Sequence, residues 1–255
     1  MSDFQFLDQI GKAEQEGTVV FADSGASTPK YRNWYRRKVF PAKKFTELDN
    51  DSLEQVLRMF SEYRAFVSTH VVHTTPVVLQ EMARFEEILS GKFRFLADHE
   101  RYFMQAHRDK HEYLYFEENM EKSLMFGEIC FTYMQACKSI GRNVITHQDG
   151  KYAYLMNVVQ EVMHQVDKKI VTNGNCIADV ELVASALYTS LFDNNAAAII
   201  TVDNDIHRLV IGTYTLLCED QKGDLFRDAL MQKPVDVYLI QNGKSQIIKC
   251  AEILN

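Results

Sequence analysis

The chain has no apolar run approaching the roughly 18 residues that a membrane-spanning helix requires, so no helical span is expected. Its first residues, MSDFQFLDQIGKAEQEG, lack both the basic start and the apolar stretch of a secretion signal, and a cytoplasmic protein is expected. No CxxC pair occurs. The five cysteines (Cys130, Cys137, Cys176, Cys218 and Cys250) are odd in number and widely spaced, which argues against a disulfide framework or a zinc knuckle. Reduced, mostly buried thiols are the expectation. GxGxxG and GxxxxGK[ST] are missing, so nucleotide cofactors gain no support. The absence of a Gly-x-Ser-x-Gly elbow counts against an α/β-hydrolase. His107 and His111 are four apart, but Arg108 stands where a metalloprotease helix needs Glu, so a solvated helix face is expected there.

What remains is an ordinary globular composition over 255 residues, 46% hydrophobic and 25% charged with only four prolines. That length can bury a substantial core as one large domain or two small ones. Net charge is −7, which alone argues against simple wrapping of nucleic acid. Its distribution is uneven. Lys30, Arg32, Arg36, Arg37, Lys38, Lys43 and Lys44 lie in one stretch without an acid, and the rest of the chain carries −14. Tyr31, Trp34 and Tyr35 interleave with these cations, an arrangement that suits a single strand, with phosphates on the cations and bases on the rings. The competing expectation is a solvated loop whose aromatics pack inward.

Hydrophobic patterning predicts an α/β chain. A polar lead-in helix over 1–17 precedes a β-rich run, Thr18 to Ala22, ended by the turn composition Asp-Ser-Gly-Ala-Ser. Such continuous apolar strands belong in parallel sheets covered on both faces. Asp49-Asn50-Asp51-Ser52 announces a helix that buries Leu53, Val56, Leu57, Phe60, Tyr63 and Val67. His70 to His73 reads as a second strand, and Thr75 caps a helix with Pro76 at its first position. From about 85 to 172 a helical insertion is expected, with breaks near Ser90-Gly91, Gly141 and Asp149-Gly150. Its aromatics and methionines are expected to pack between helices or to form a partner surface. Asn173-Gly174-Asn175 is a turn, and Asp179 opens a largely buried helix to about Phe192. Ala196 to Thr201 is a third central strand, followed by helices over Ile206 to Leu217 and Leu225 to Gln232. The runs Asp236 to Ile240 and Gln246 to Lys249 flank Asn242-Gly243, a strong hairpin signal. The whole reads as one domain of three-layer α/β/α form with a mostly parallel sheet.

Ligands collect at the carboxyl ends of strands in such sheets. Asp23 follows the first strand and Asp203 the third, Asp179 opens a helix, and Glu81 lies about a turn and a half into the helix after the second strand. Four carboxylates converging there would repel one another without cations. Hard oxygen donors suit Mg²⁺ or Mn²⁺, which activate water and stabilise charge on a phosphodiester. Asp205 would be a further ligand or would orient Asp203. Ser24 and Thr201 would hydrogen-bond the acids or substrate-side water. His70 and His73 flank the second strand and are expected to be hydrogen-bonded structural residues. The competing assignment of the acids is to helix caps and turns.

The segments VVFADSGAS, TTPVVLQEM, IADVELVASAL and IITVDNDI, in that order, resemble the four blocks of PIN domains. The last, with Thr201, Asp203 and Asp205 in a Thr-x-Asp-x-Asp pattern, is the clearest. The resemblance covers roughly 18–90 and 172–210. It implies a metal-dependent nuclease acting mostly on RNA, with Asp23, Glu81, Asp179 and Asp203 holding Mg²⁺ or Mn²⁺. Glu81 and Asp179 are 98 residues apart, farther than in compact members, and the helical insertion fills the gap. The expectation is an endoribonuclease on single-stranded RNA, with Arg32, Arg36, Arg37 and Lys38 on backbone phosphate. The alternatives are a weakly active or inactive binding module working through the insertion in a nucleic-acid or protein complex, with a protein partner or a second copy on the insertion, and a DNA nuclease related to flap endonucleases.

Overall fold

The computed structural model describes residues 5–24, 34–106, 113–166, 176–219, 223–241, 244–250 and 252. Arg32 with Lys30 and Tyr31, Gly25, both His107 and His111, the turn 173–175 and the Asn242-Gly243 turn lie outside them. The chain divides into two compact units, one of Met1–Ser27, Thr69–Glu81 and Ile140–Asn255, the other of Thr28–Ser68 and Met82–Ser139.

The first unit contains the sheet. Helix α1 (Gln5–Gln15) ends in a paired bond pattern, with Gly17 N–H donating to Glu14 O and Thr18 N–H to Ala13 O. Gly17 sits at φ 87°, the left-handed position that this helix end requires. The chain then enters β1 (Val19–Ala22). β2 (Val72–His73), β3 (Ala197–Thr201), β4 (Val235–Gln241) and β5 (Lys244–Lys249) complete a sheet of order β2-β1-β3-β4-β5. The first four strands are mutually parallel, and β5 returns antiparallel to β4 as the hairpin pattern predicts. All five residues of β3 are buried, and alternate side chains point to opposite faces, so the sheet centre is covered on both sides. The run AAIIT carries no polar residue before its last position because neither face meets water.

Helix α5 (Gly150–Val166) packs on α6 (Ile177–Leu191) and α7 (Asn204–Glu219), and α6 lies against β1, β3 and β4. Helix α8 (Gly223–Gln232) packs on α7 and α6. Gly212 permits the close α5–α7 approach, since a Cβ there would stand 2.6 Å from Val162 Cγ1. Gly11 plays the same part under the His70 ring, where a Cβ would meet Nε2 at 2.7 Å. The fully buried Tyr214 of α7 accepts the Val235 N–H at 2.7 Å, which fixes the start of β4.

The second unit is helical: α2 (Asn50–Thr69, through Ser68), the part of α3 (Pro76–Ala106) beyond Glu81, and α4 (Tyr113–Ile140) through Ser139. The predicted cap of α2 forms, with Ser52 N–H donating to Asp49 Oδ2 at 3.3 Å. Tyr133 lies at the centre of this core, 5.2 Å from the Phe60 ring and 5.4 Å edge-on from Phe85. The break expected at Ser90-Gly91 does not occur, because α3 runs through both residues. Leu89 and Leu96 on either side are fully buried, which outweighs the roughly 1 kcal/mol that a helical glycine loses. The breaks at Gly141 and Asp149-Gly150 do form, and Asp149 Oδ1 caps α5 by accepting the Tyr152 N–H.

Candidate metal and phosphodiester site

Parallel register aligns three carboxyl ends at one edge of the sheet. Phe21 pairs with His73 and Ala22 with Ile200, so the residues after β1, β2 and β3 emerge side by side. β2 lies on one side of β1 and β3 on the other, which makes the β1/β3 crest a topological switch point, where open sheets of this kind bind ligands. Asp23 and the residues after Thr201 occupy that crest.

Asp23 is 6% exposed, and its Oδ2 accepts the Thr201 hydroxyl at 3.0 Å. Thr201 Oγ1 also accepts the Asp203 N–H at 2.9 Å, tying the backbone of the acidic turn to the same hydroxyl. Asp203 is exposed, and its Oδ1 accepts the Asp205 N–H at 2.8 Å, so it caps α7. The cap and turn assignment thus holds for one oxygen of Asp203. Glu81 Oε2 accepts the Ser24 hydroxyl at 2.7 Å. Glu181 of α6 accepts the Val77 N–H at 3.0 Å, which fastens the first turn of α3, and with it Glu81, beside the helix that carries Asp179.

Asp179 is the electrostatic centre. Burial, followed by the charges of Asp23, Asp203, Glu81 and Asp205, pushes its carboxyl up to about 8. All five acids predicted from the sequence therefore share one field, and Ser24 and Thr201 serve here as hydroxyl donors to two of them. Among the described residues no three His, Cys, Asp or Glu side chains close into a metal-holding group. The donor set is all oxygen and anionic, which fits a hard divalent cation rather than zinc or copper.

Two neighbours escaped the sequence reading. Arg208 Nη1 lies 3.3 Å from Asp205 Oδ1, an i,i+3 helix pair visible in principle from the Asp205-Ile206-His207-Arg208 spacing. His207 is held below the usual histidine range, first by burial and then by Arg208, with Asp205 and Asp203 opposing. His73 accepts the structural role foreseen for it, its Nδ1 lying 3.3 Å from Asn143 O. His70 Nδ1 is 2.9 Å from Thr69 Oγ1.

In the second unit, Arg36, Arg37 and Lys38 are exposed on a short π-helical turn, Tyr35–Val39, closed by Phe40 N–H donating to Tyr35 O at 2.7 Å. The two described rings expected to stack bases do not face solvent squarely. Trp34 packs 6.3 Å from Phe126 and Tyr35 edge-on at 6.2 Å from Phe85, because each ring gains more from apolar contact than from water. Among the aromatics and methionines expected to pack or to form a surface, Phe93 packs on Phe126, while Phe95, Tyr102 and Met120 are exposed. No protein-family model, curated protein or solved structure matches the chain.

Proposed function

We propose that the chain is a divalent-metal-dependent nuclease of PIN-like, three-layer α/β/α form, cutting single-stranded RNA as an endonuclease. The observation that carries this reading is Asp179, a carboxyl raised to about 8 by burial and by four neighbouring acids at the switch point of a parallel sheet. Perturbed carboxyls at such a place favour a functional site over a structural one. Asp23, Asp179 and Asp203 would hold Mg²⁺ or Mn²⁺, with Glu81 and Asp205 as further ligands or braces. When bound, the cation supplies Lewis-acid stabilisation and a water of lowered pKa.

The chain's own residues have the remaining tasks. Thr201 holds the buried Asp23 carboxylate and the Asp203 backbone in one orientation, and Ser24 holds Glu81. Arg208, beside Asp205, is a cation at the acidic edge and can meet the phosphate of a strand laid across it. Arg32, Arg36, Arg37 and Lys38 are assigned to backbone phosphate.

A second reading, a catalytically weak binding module, is favoured by one observation: among the described residues the carboxylates do not close into a metal-holding group. The readings separate when labelled single-stranded RNA and branched DNA are incubated with Mn²⁺, with and without chelator. Chelator-sensitive cleavage of the RNA supports the endoribonuclease. Cleavage of branched DNA alone transfers the site to the DNA nucleases, and no cleavage of either leaves the binding module.

A further inference from the structure

Two lysines of the second unit are turned inward onto the carbonyls of a single segment. Lys92 of α3 donates to Phe40 O at 2.9 Å and to Ala42 O at 2.5 Å. Lys122 of α4, only 6% exposed, donates to Thr46 O at 3.0 Å. Lysine is seldom buried as Lys122 is, and a solvated loop has no need of that anchor or of the half-buried Lys92. The segment they hold continues directly from the exposed Arg36, Arg37 and Lys38, and residues 34–46 carry five cations and no acid.

Two phenyl rings near the Lys92 anchor lie in solvent. Phe40 is 68% exposed and Phe95 is 51% exposed. Lys92 Nζ bonds the Phe40 carbonyl while lying 4.8 Å from the Phe95 ring centroid, so the two residues flank one ammonium. Of the rings that the sequence offered for stacking, Trp34 and Tyr35 pack inward, and Tyr31 lies outside the described residues.

We propose that this face binds a single-stranded polynucleotide, with Arg36, Arg37 and Lys38 on successive phosphates and Phe40 and Phe95 each stacking a base. Lys92 and Lys122 are positioning residues that order the platform before the strand arrives. Rings beside guanidiniums suit bases joined by phosphates, where an acidic peptide would use the cations and leave the rings idle. The inference rests on reading the basic stretch as a phosphate contact, and it is independent of cleavage.

The test is fluorescence anisotropy of labelled RNA and DNA strands of about a dozen nucleotides, with chelator present throughout so that nothing is cut. Phe40→Ala with Phe95→Ala should weaken binding about 10-fold or more while leaving the salt dependence unchanged, and Phe40→Trp should retain it. Arg36→Ala, Arg37→Ala and Lys38→Ala together should flatten the slope of log affinity against log salt by about 2. Circular dichroism confirms that each variant folds, which the exposure of all five side chains favours. The proposal falls if the native chain binds neither strand at low salt, if the double phenylalanine variant binds like the native chain, or if polyglutamate competes as well as the strands. RNA cleavage by a native chain that binds neither strand under chelator removes the platform alone. Binding without cleavage removes the catalytic reading alone.

Discussion

Thr201 and Asp23, 178 residues apart in the chain, are joined by a 3.0 Å hydrogen bond from the threonine hydroxyl to the carboxylate at the crest of adjacent strands. The same hydroxyl oxygen accepts the Asp203 N–H, so one fully buried side chain fixes two of the acids that define the site. Replacing it with the nearly isosteric Thr201→Val removes a donor from a buried carboxylate and an acceptor from a turn. A loss of about 1–3 kcal/mol in urea unfolding is expected, with Thr201→Ser retaining most of the stability. Equal stability for the valine variant would show that this hydroxyl does not hold the crest.

Asp179 sets a pH dependence whose sign is opposite to that of most carboxyls. Burial, then Asp23, Asp203, Glu81 and Asp205, raise its folded-state value from 3.8 to about 8, so the folded state holds a proton that the unfolded state has released. Its contribution is full below the unfolded value and is lost as pH rises toward about 8. Metal-free protein should therefore lose stability from about pH 4 to about pH 8, and Asp179→Asn should flatten that loss. Thermal melting at half-unit steps of pH measures it. A native profile that rises across the window would contradict the assignment.

Ser24 and Glu81 form the third test. The 2.7 Å bond from the Ser24 hydroxyl orients the Glu81 carboxylate. Supporting hydrogen bonds of this kind change cation affinity about 10-fold to 100-fold when removed. Ser24→Ala should lower Mn²⁺ affinity in calorimetry by such a factor. Unchanged affinity would place Glu81 outside the binding set.

Packing gives a fourth expectation, independent of chemistry. A methyl at position 212 would come within 2.6 Å of Val162 Cγ1, and a β-branched valine in a helix has little rotamer freedom to yield. Overpacking of about 1–3 kcal/mol outweighs the helix preference for alanine, roughly 1 kcal/mol. Gly212→Ala should lower the melting temperature, and Val162→Ala in the same chain should recover part of the drop.

These relationships were unevenly legible in the sequence. Val19–Ala22 and Ala197–Thr201 announced themselves because strands buried on both faces are written as unbroken apolar runs. The edge strand was less clear: HVVH shortens to Val72–His73, since an edge needs fewer ladder bonds. That Asp23, Glu81, Asp179, Asp203 and Asp205 come into one field was legible because each sits near the end of a strand or the start of a helix. What fastens them was not, because the Glu181 contact with Val77 spans 104 residues and leaves no local pattern. Ser90-Gly91 misled, since turn composition says nothing about the leucines that keep a helix whole. Phe40 and Phe95 were hidden for a similar reason: exposure of an aromatic depends on which neighbours the helices bring.

Cation-dependent cutting at the carboxylates near Asp179 is tested by single-turnover cleavage of labelled single-stranded RNA in Mn²⁺. The native chain would be compared with Asp23→Asn and Asp203→Asn, which keep an acceptor oxygen and remove the charge. Cleavage by the native chain should be abolished by chelator and lost by at least about 100-fold in both variants, some 2.7 kcal/mol of transition-state stabilisation. Folded native protein that leaves the strand intact, or variants that cut as fast as the native chain, would contradict cation-dependent cutting there.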